Sequence, residues 1–197
     1  MKKILLASLA LTSILSTQAL AEESDMYVGV DILKNTHSIT ADISGHASSS
    51  QDFDSNSFKI KLGTVSENGW RVQGYFEVLT YDKTLFDDTN DGLMELGVDV
   101  IKGFDITPKV TPFIQVGAGF GVMSIKEATQ DSISEFSLKV GVGIAYKIVP
   151  SFELIAGADL QYRAWQEIIY YDLLGDTVTR QTTESNTKLY IGGNFHF

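Results

Sequence analysis

Three histidines and no cysteine, with a scatter of Ser, Asp and Glu, are what the 197 residues offer to covalent or metal chemistry. Histidine is the usual general base, and catalysis needs a nucleophile beside it. His37 precedes Ser38, and His46 precedes Ala47-Ser48, both in a polar, Ser-rich stretch. His196 stands next to the terminal Phe197 with no nucleophile near it in sequence. Without Cys there is no disulfide, no thiolate nucleophile and no Cys-based zinc site. No metal-ligand spacing, P-loop or dinucleotide fingerprint is present, so no catalytic residue, metal or cofactor is expected. Gly117-Ala118-Gly119-Phe120-Gly121 is Gly-rich, but its glycines alternate as in a strand. The chain reads as non-enzymatic.

What remains is electrostatic chemistry. Lys59, Lys61, Arg71, Glu77, Glu95, Asp99, Lys139, Lys147, Glu153, Asp159 and Arg163 all fall on the polar parity of segments that alternate apolar and polar residues. Charges of both signs on one shared face suit a structural network of ion pairs, because buried charges cost several kcal/mol unless paired.

The elements that carry them follow from that alternation. Phe136, Leu138, Val140, Val142, Ile144, Tyr146 and Ile148 alternate with Ser137, Lys139, Gly141, Gly143, Ala145 and Lys147. Successive side chains must therefore point to opposite faces, which a helix cannot arrange. Eight such segments are expected, near 26–40, 57–66, 70–82, 92–103, 110–126, 134–149, 152–168 and 186–197. Ordinary strands average about 5–6 residues, whereas a strand tilted across a bilayer needs roughly 9–11. The connections alternate long (41–56, 84–91, 127–133, 169–185) and short (67–69, 105–108, 149–151). That rhythm suits an eight-stranded antiparallel up-and-down transmembrane β-barrel with short periplasmic turns and longer outer loops.

The direction of each face comes from glycine. Gly29, Gly63, Gly97, Gly117, Gly119, Gly121, Gly141, Gly143, Gly157 and Gly192 share the polar parity. Glycine weakens a water-facing strand, but in a narrow lumen it leaves room for long charged side chains crossing from the opposite wall. The polar parity therefore faces inward and the apolar parity faces lipid. A Gly141→Ser change is then expected to be mild, its hydroxyl joining the internal network. The competing architecture, a soluble lipocalin-like barrel with an apolar interior, would leave these glycines outside without purpose.

Residues 1–21 read as a cleaved export signal and 22–197 as the barrel. Lys2 and Lys3 precede an apolar stretch from Ile4 to Leu15, and Ala19-Leu20-Ala21 fits a small-residue cleavage site. The formal charge of −10 argues against nucleic acid, which is held by neutralising its phosphates. Mean hydropathy of +0.04 is too high for a disordered chain.

Aromatic residues on the apolar parity fall at two levels, as interfacial girdles do. Trp70, Tyr146 and Phe152, with Phe195 and Phe197, lie near the short turns; Phe58, Phe136 and Tyr162 lie near the long loops. The last strand alternates Leu189, Ile191, Gly193, Phe195 and Phe197. An alternating final strand that ends on Phe resembles the signal read by the assembly machinery of bacterial outer-membrane barrels. With the export signal and eight strands, the chain resembles the OmpA/OmpX-like family of small outer-membrane barrels. The resemblance implies a Gram-negative outer membrane and surroundings of lipid and lipopolysaccharide. Unlike full-length OmpA, no peptidoglycan-binding domain follows the barrel, so cell-wall anchoring by such a domain is not expected.

Three functions follow from this reading. The first is a structural or adhesin-like surface role, in which outer loops contact a host or surface ligand. The second is a small porin-like pore, opposed by a lumen only wide enough for side chains. The third is lipid modification: His46-Ala47-Ser48 resembles, in three letters, the His-x-Ser of outer-membrane lipid A deacylases, but sits in a loop and not on a late strand. The outer loops read as acidic through Asp42, Asp52, Asp54, Asp87, Asp88, Asp91, Glu127, Asp131, Asp172, Asp176 and Glu184, against Lys83 and Arg180. The plain reading of such a rim is a solvated surface; the functional ones are divalent-cation bridging to lipopolysaccharide phosphates or contact with a basic host surface.

Overall fold

Long alternating segments cannot satisfy their backbone groups alone in lipid, and a sheet closed on itself is the solution that leaves no edge. The computed structural model describes residues 25–43, 48–83, 92–124, 132–171 and 177–197. The expected export signal, His46-Ala47, and the acidic residues Asp87, Asp88, Asp91, Glu127, Asp131, Asp172 and Asp176 lie outside them. The strands are β1 (Asp25–Ile43), β2 (Ser49–Val65), β3 (Trp70–Tyr81), β4 (Gly92–Gly103), β5 (Val110–Ser124), β6 (Ser132–Val149), β7 (Phe152–Trp165), β8 (Ile168–Tyr171) and β9 (Thr177–His196). Every pairing is antiparallel between neighbours, and β1 pairs with β9 to close the ring. β7 and β8 both pair with β9. They are two pieces of one barrel strand, interrupted at Gln166-Glu167. The barrel therefore has eight strands.

Paired Cα positions run from Val30 through Ile60, Phe76, Leu96, Phe120, Phe136, Ala164 and Thr183 and return to β1 at Thr40. That stagger of ten residues tilts the strands and, with eight of them, leaves an interior that side chains fill. The short connections lie at one end. At Ser66–Trp70 the chain reverses through Gly69, whose φ of 80° only glycine adopts without strain. The Gly69 amide donates to the Ser66 carbonyl and the Asn68 side chain accepts from the Trp70 amide.

The inward parity is the polar, Gly-bearing one, and the outward parity is apolar, as expected from glycine. Leu138, Val140, Val142 and Ile144 are more than two-fifths exposed, whereas Lys59, Glu77, Glu95, Asp99 and Arg163 are almost completely buried. Two expectations need correction. The loop expected at 41–56 is largely strand, since β1 runs to Ile43 and β2 starts at Ser49; the loop expected at 169–185 is likewise mostly β8 and β9. The reason is a change of phase in the apolar pattern. On β1 the outward residues Val28, Val30 and Ile32 are followed by Lys34, Thr36, Ser38 and Thr40, while the inward side becomes apolar at Leu33, Ile39 and Ala41. The same crossing occurs just past Val78 on β3 and Val122 on β5, and just ahead of Phe58 on β2, Phe136 on β6 and Leu189 on β9, which run the opposite way. Beyond it the lumen holds Ile39, Phe53, Leu79, Tyr81, Leu93, Met123, Ile133, Trp165 and Ile168 as one apolar layer. The wall there resembles a water-soluble barrel, apolar inside and polar outside. A scan for one continuous period loses the strand where the period keeps its length but switches faces.

The second correction concerns the glycines. The side chains above them come chiefly from neighbouring strands, not from the opposite wall. Tyr27 faces Gly63, Tyr75 faces Gly97, Phe113 faces Gly143 and Tyr190 faces Gly157, each a direct cross-strand pair. Gly117 sits between Asp99 and Lys139, which meet over it at 2.8 Å. Gly141 sits between Gln115 and Asp159, which hydrogen-bond over it. A Cβ at Gly141 would lie 2.0 Å from Asp159 Oδ1 and 2.9 Å from the fixed Ala158 carbonyl. Gly141→Ser is therefore expected to be destabilising, not mild, by the cost of overpacking, about 1–3 kcal/mol. A wild-type urea midpoint for that variant would contradict the packing.

Candidate functional site

Among the described residues the fold concentrates charge in the polar lumen, which is built in tiers from side chains two residues apart on each strand. At the end with the short turns, Arg71 on β3 forks onto both oxygens of Glu153 on β7, the second contact at 3.2 Å. Asn194 donates to the same carboxylate at 2.9 Å, and His196 lies 3.3 Å from it. Above this, Lys61 meets Asp31 at 2.5 Å, and a chain of hydrogen bonds runs from Tyr27 through Gln73 to Asp99. In the middle, Lys188 donates to both oxygens of Glu77 at 2.8 Å; Lys59 stands 3.8 Å from them and Ser57 donates at 2.7 Å. Lys59 and Lys139 also lie over the Tyr75 ring, at 5.0 and 3.9 Å. The attraction of the ring face adds to their pairing.

The uppermost tier gathers most charge. Arg163 is fully buried and donates to Glu95 at 2.9 Å and to Glu184 at 2.6 Å, with Glu135 3.9 Å away. Tyr75 and Gln161 complete the shell of Glu95. Glu184 also accepts from Trp165 at 3.1 Å and Tyr81 at 3.3 Å. His37 bridges Glu184 and Ser55, each at 2.6 Å. Ser55, His37 and Glu184 thus stand in the order that activates a nucleophile. Ser55 is fully buried under the apolar layer, and Asn35 already donates to its hydroxyl. The row joins three strands and has no open face among the described residues.

Ten of the eleven charges expected in the lumen are there. Lys147 is not: it is exposed at the mouth beside Asp25, Glu67 and Asp105. Its register partner Glu153 is occupied by Arg71, and β6 is irregular between Lys147 and Val149, where the barrel opens to water. Glu184, read as a loop carboxylate, is fully buried. Asp42 and Asp52 are exposed on β1 and β2, Asp54 is partly exposed, and Ser48 is exposed before β2. Asp31, Glu135, Lys188 and His37 are buried in the lumen as well, beyond the charges expected there. Asn194, Gly192, Tyr190, Lys188, Asn186 and Glu184 share one parity, so the inward row of β9 already carries these two charges in its sequence.

Little space is left between these side chains. The cavity among Tyr27, Lys59, Arg71, Gln115 and Tyr190 holds about 10 Å³, no more than one water. Leu33, Ile101, Phe113, Ala145, Ile155 and Tyr190 fill the lumen around it.

Outside, Phe58, Phe136 and Tyr162 are exposed near the level where the wall turns polar, and Trp70 and Tyr146 are exposed near the short turns. Phe152 is half-buried, its ring 3.0 Å from where a Cβ on Gly193 would stand. Leu189, Ile191 and Phe195 present an exposed apolar row on β9, which Phe197 continues just past its end. From Phe136 to Tyr146 the apolar face of β6 covers eleven residues, the length a tilted strand needs to cross hydrocarbon.

A closed eight-stranded wall with this lipid-facing belt agrees with comparison by family. The family described as outer membrane protein beta-barrel domain matches residues 7–197. The chain belongs to that family. Its place is accordingly the outer membrane of a Gram-negative cell. Among solved structures, the family fold recurs in neisserial surface protein A, at 18% identity, covering 89% of this chain and 100% of that one with a TM-score of 0.61. It recurs in the outer membrane protein OprG of Pseudomonas aeruginosa, at 9% identity, covering 88% and 96% with a TM-score of 0.57. Comparison with curated protein sequences gives no match.

Proposed function

We propose that this outer-membrane barrel is a non-enzymatic surface protein, which holds its outer loops above the membrane and contacts a host or surface ligand through them. The observation that carries this reading is the closed interior. An ion-paired lumen under an apolar layer favours display over passage of solutes. The continuation of β1, β2 and β9 beyond the apolar belt supports it, because paired strands with their own apolar core make a stiff pedestal. Outward Asp42, Asp52 and Asp54 add acidic character to its sides.

Two measurements test the reading. In planar bilayers the purified barrel is expected to give no stable conductance; reproducible steps of one size at each insertion would replace display with a pore. Grafting the outer loops onto an unrelated small barrel should transfer adhesion to cells or matrix, and a graft without adhesion would remove the surface role.

Insertion itself is proposed to depend on the last strand, recognised by the assembly machinery. The Phe197 amide donates to Met26 on β1 at the closing seam, and its ring ends the outward apolar row. Phe197→Asp is expected to abolish heat-modifiable gel migration and outer-membrane yield in cells. Normal migration and yield would show that the terminal apolar position is dispensable.

A further inference from the structure

The upper tier of the lumen holds one carboxyl group more than its cation serves. Arg163 directs its guanidinium to Glu95, at 2.9 and 3.2 Å, and to Glu184, at 2.6 Å. Glu135 stands 3.9 Å from Arg163 Nε and is 2% exposed. Neither of its oxygens meets a hydrogen-bond donor among the described residues. A carboxylate buried in this way, without a close cation or donors, is not held in its ionised form.

The register explains how Glu135 is accommodated. Glu95 on β4 and Glu135 on β6 flank Gly121 of β5 in one inward row. With no side chain on Gly121, the Glu135 carboxyl lies over it and comes within hydrogen-bonding reach of Glu95. Ionised carboxylates only accept, so a hydrogen bond between the two requires a proton. One rung away, Ser137 Oγ and Glu95 Oε1 each lie 2.7 Å from where a Cβ on Gly119 would stand, and that buried hydroxyl also has no partner.

The groups that face this pair from the other strands are engaged elsewhere. On β3, Tyr75 donates to Glu95, and Glu77 is held by Lys188 of β9 and stands near Lys59 of β2. Glu184 of β9 accepts from Arg163, Trp165 and Tyr81, and His37 of β1 bridges it to Ser55. On β6 itself, Lys139 pairs with Asp99. A metal ion suits the pair poorly. Calcium takes roughly six to eight oxygen ligands, whereas the Glu95 oxygens already accept from Tyr75, Gln161 and Arg163. We infer that Glu95 and Glu135 form a proton-binding site, in which Glu135 stays a neutral acid and donates to Glu95. The next inward residues on the same three strands are Leu93, Met123 and Ile133 of the apolar layer. The proton therefore sits directly under that seal, just ahead of the belt that starts at Phe136.

The unfolded chain releases this proton as an ordinary glutamate does, so the folded barrel binds one proton more and loses stability as pH rises. Two measurements test the site. In infrared spectra of the refolded wild type with isotopically labelled glutamate carboxyls, a labelled protonated-acid carbonyl band is expected at neutral pH. Glu135→Gln, whose amide donates to Glu95 in place of the acid, should lack it. In urea titrations from mildly acidic to mildly alkaline pH, the folding constant of Glu135→Gln should gain on that of the wild type by about tenfold per pH unit, the linkage of one proton. If Glu135→Gln does not fold, the wild-type band carries the test alone. A wild type without that band at neutral pH would overturn the inference, as would an unchanged band in Glu135→Gln or parallel pH curves for the two proteins. A wild-type midpoint raised by calcium at alkaline pH, with no such rise in Glu135→Gln, would put a metal ion between the carboxyls and overturn it as well.

Discussion

Replacing Arg163 with Met is expected to cost about 3–5 kcal/mol, the usual penalty for leaving buried charge without its partner. Among the described residues, Arg163 is the one Lys or Arg side chain in direct contact with both Glu95 and Glu184, and Glu135 lies 3.9 Å away, all within the buried upper tier. Removing it leaves three carboxylates facing each other in a space that excludes water. The loss should appear as a lower guanidinium midpoint for the refolded barrel, with the denaturant slope unchanged. Adding Glu95→Gln and Glu184→Gln to Arg163→Met should recover most of it, because the amides keep the shape and remove the repulsion. An additive loss across the three substitutions would mean that packing, not charge, explains the cost.

On the other face, Val142→Arg should cost about 2–4 kcal/mol in lipid vesicles, the range for a cation at the middle of a barrel's lipid face. Val142 is 59% exposed and lies centrally in the Phe136–Tyr146 belt. The penalty belongs to depth and not to arginine as such. Thr80→Arg, on β3 just past the outward Val78, should cost only about 0–1 kcal/mol, as near an interface. Val142→Thr should be mild as well. Equal costs for Val142→Arg and Thr80→Arg would place the belt elsewhere.

The barrel was legible in the sequence where the two faces differ in one constant sense. Along Phe136–Tyr146 apolar side chains alternate with Gly, Ser and Lys, so strand, inward face and lipid face all follow from one period. It was not legible past Thr40 or before Ser57, where Ser, Asn and Asp occupy the outward parity. These residues are weak strand formers alone, and cross-strand pairing overrides their preference. There the apolar signal passes to Ile39, Ala41 and Phe53 on the opposite parity. The lumen charges were readable by parity alone, but their partners were not. Whether Asp99 meets Lys139, or Glu153 meets Arg71 and not Lys147, depends on register and on a barrel stagger of ten that no local pattern encodes. Glu184 was misread for the same reason as the loop around it, since its strand begins at Thr177, twelve residues before the apolar row of β9 starts at Leu189.

The two faces of the barrel wall exchange polarity at one level, and the interior is closed on both sides of that level. Single cysteines read this directly, since the chain has none of its own. In membranes, Val142→Cys, Ile144→Cys and Leu160→Cys should react with a lipid-soluble maleimide. Thr80→Cys and Thr40→Cys should react with a membrane-impermeant one. Leu93→Cys and Ile133→Cys, in the apolar layer, should resist both until the barrel is unfolded. Rapid reaction of Leu93→Cys and Ile133→Cys with the impermeant reagent, in a barrel that still migrates as folded, would show an open lumen and contradict the closed interior.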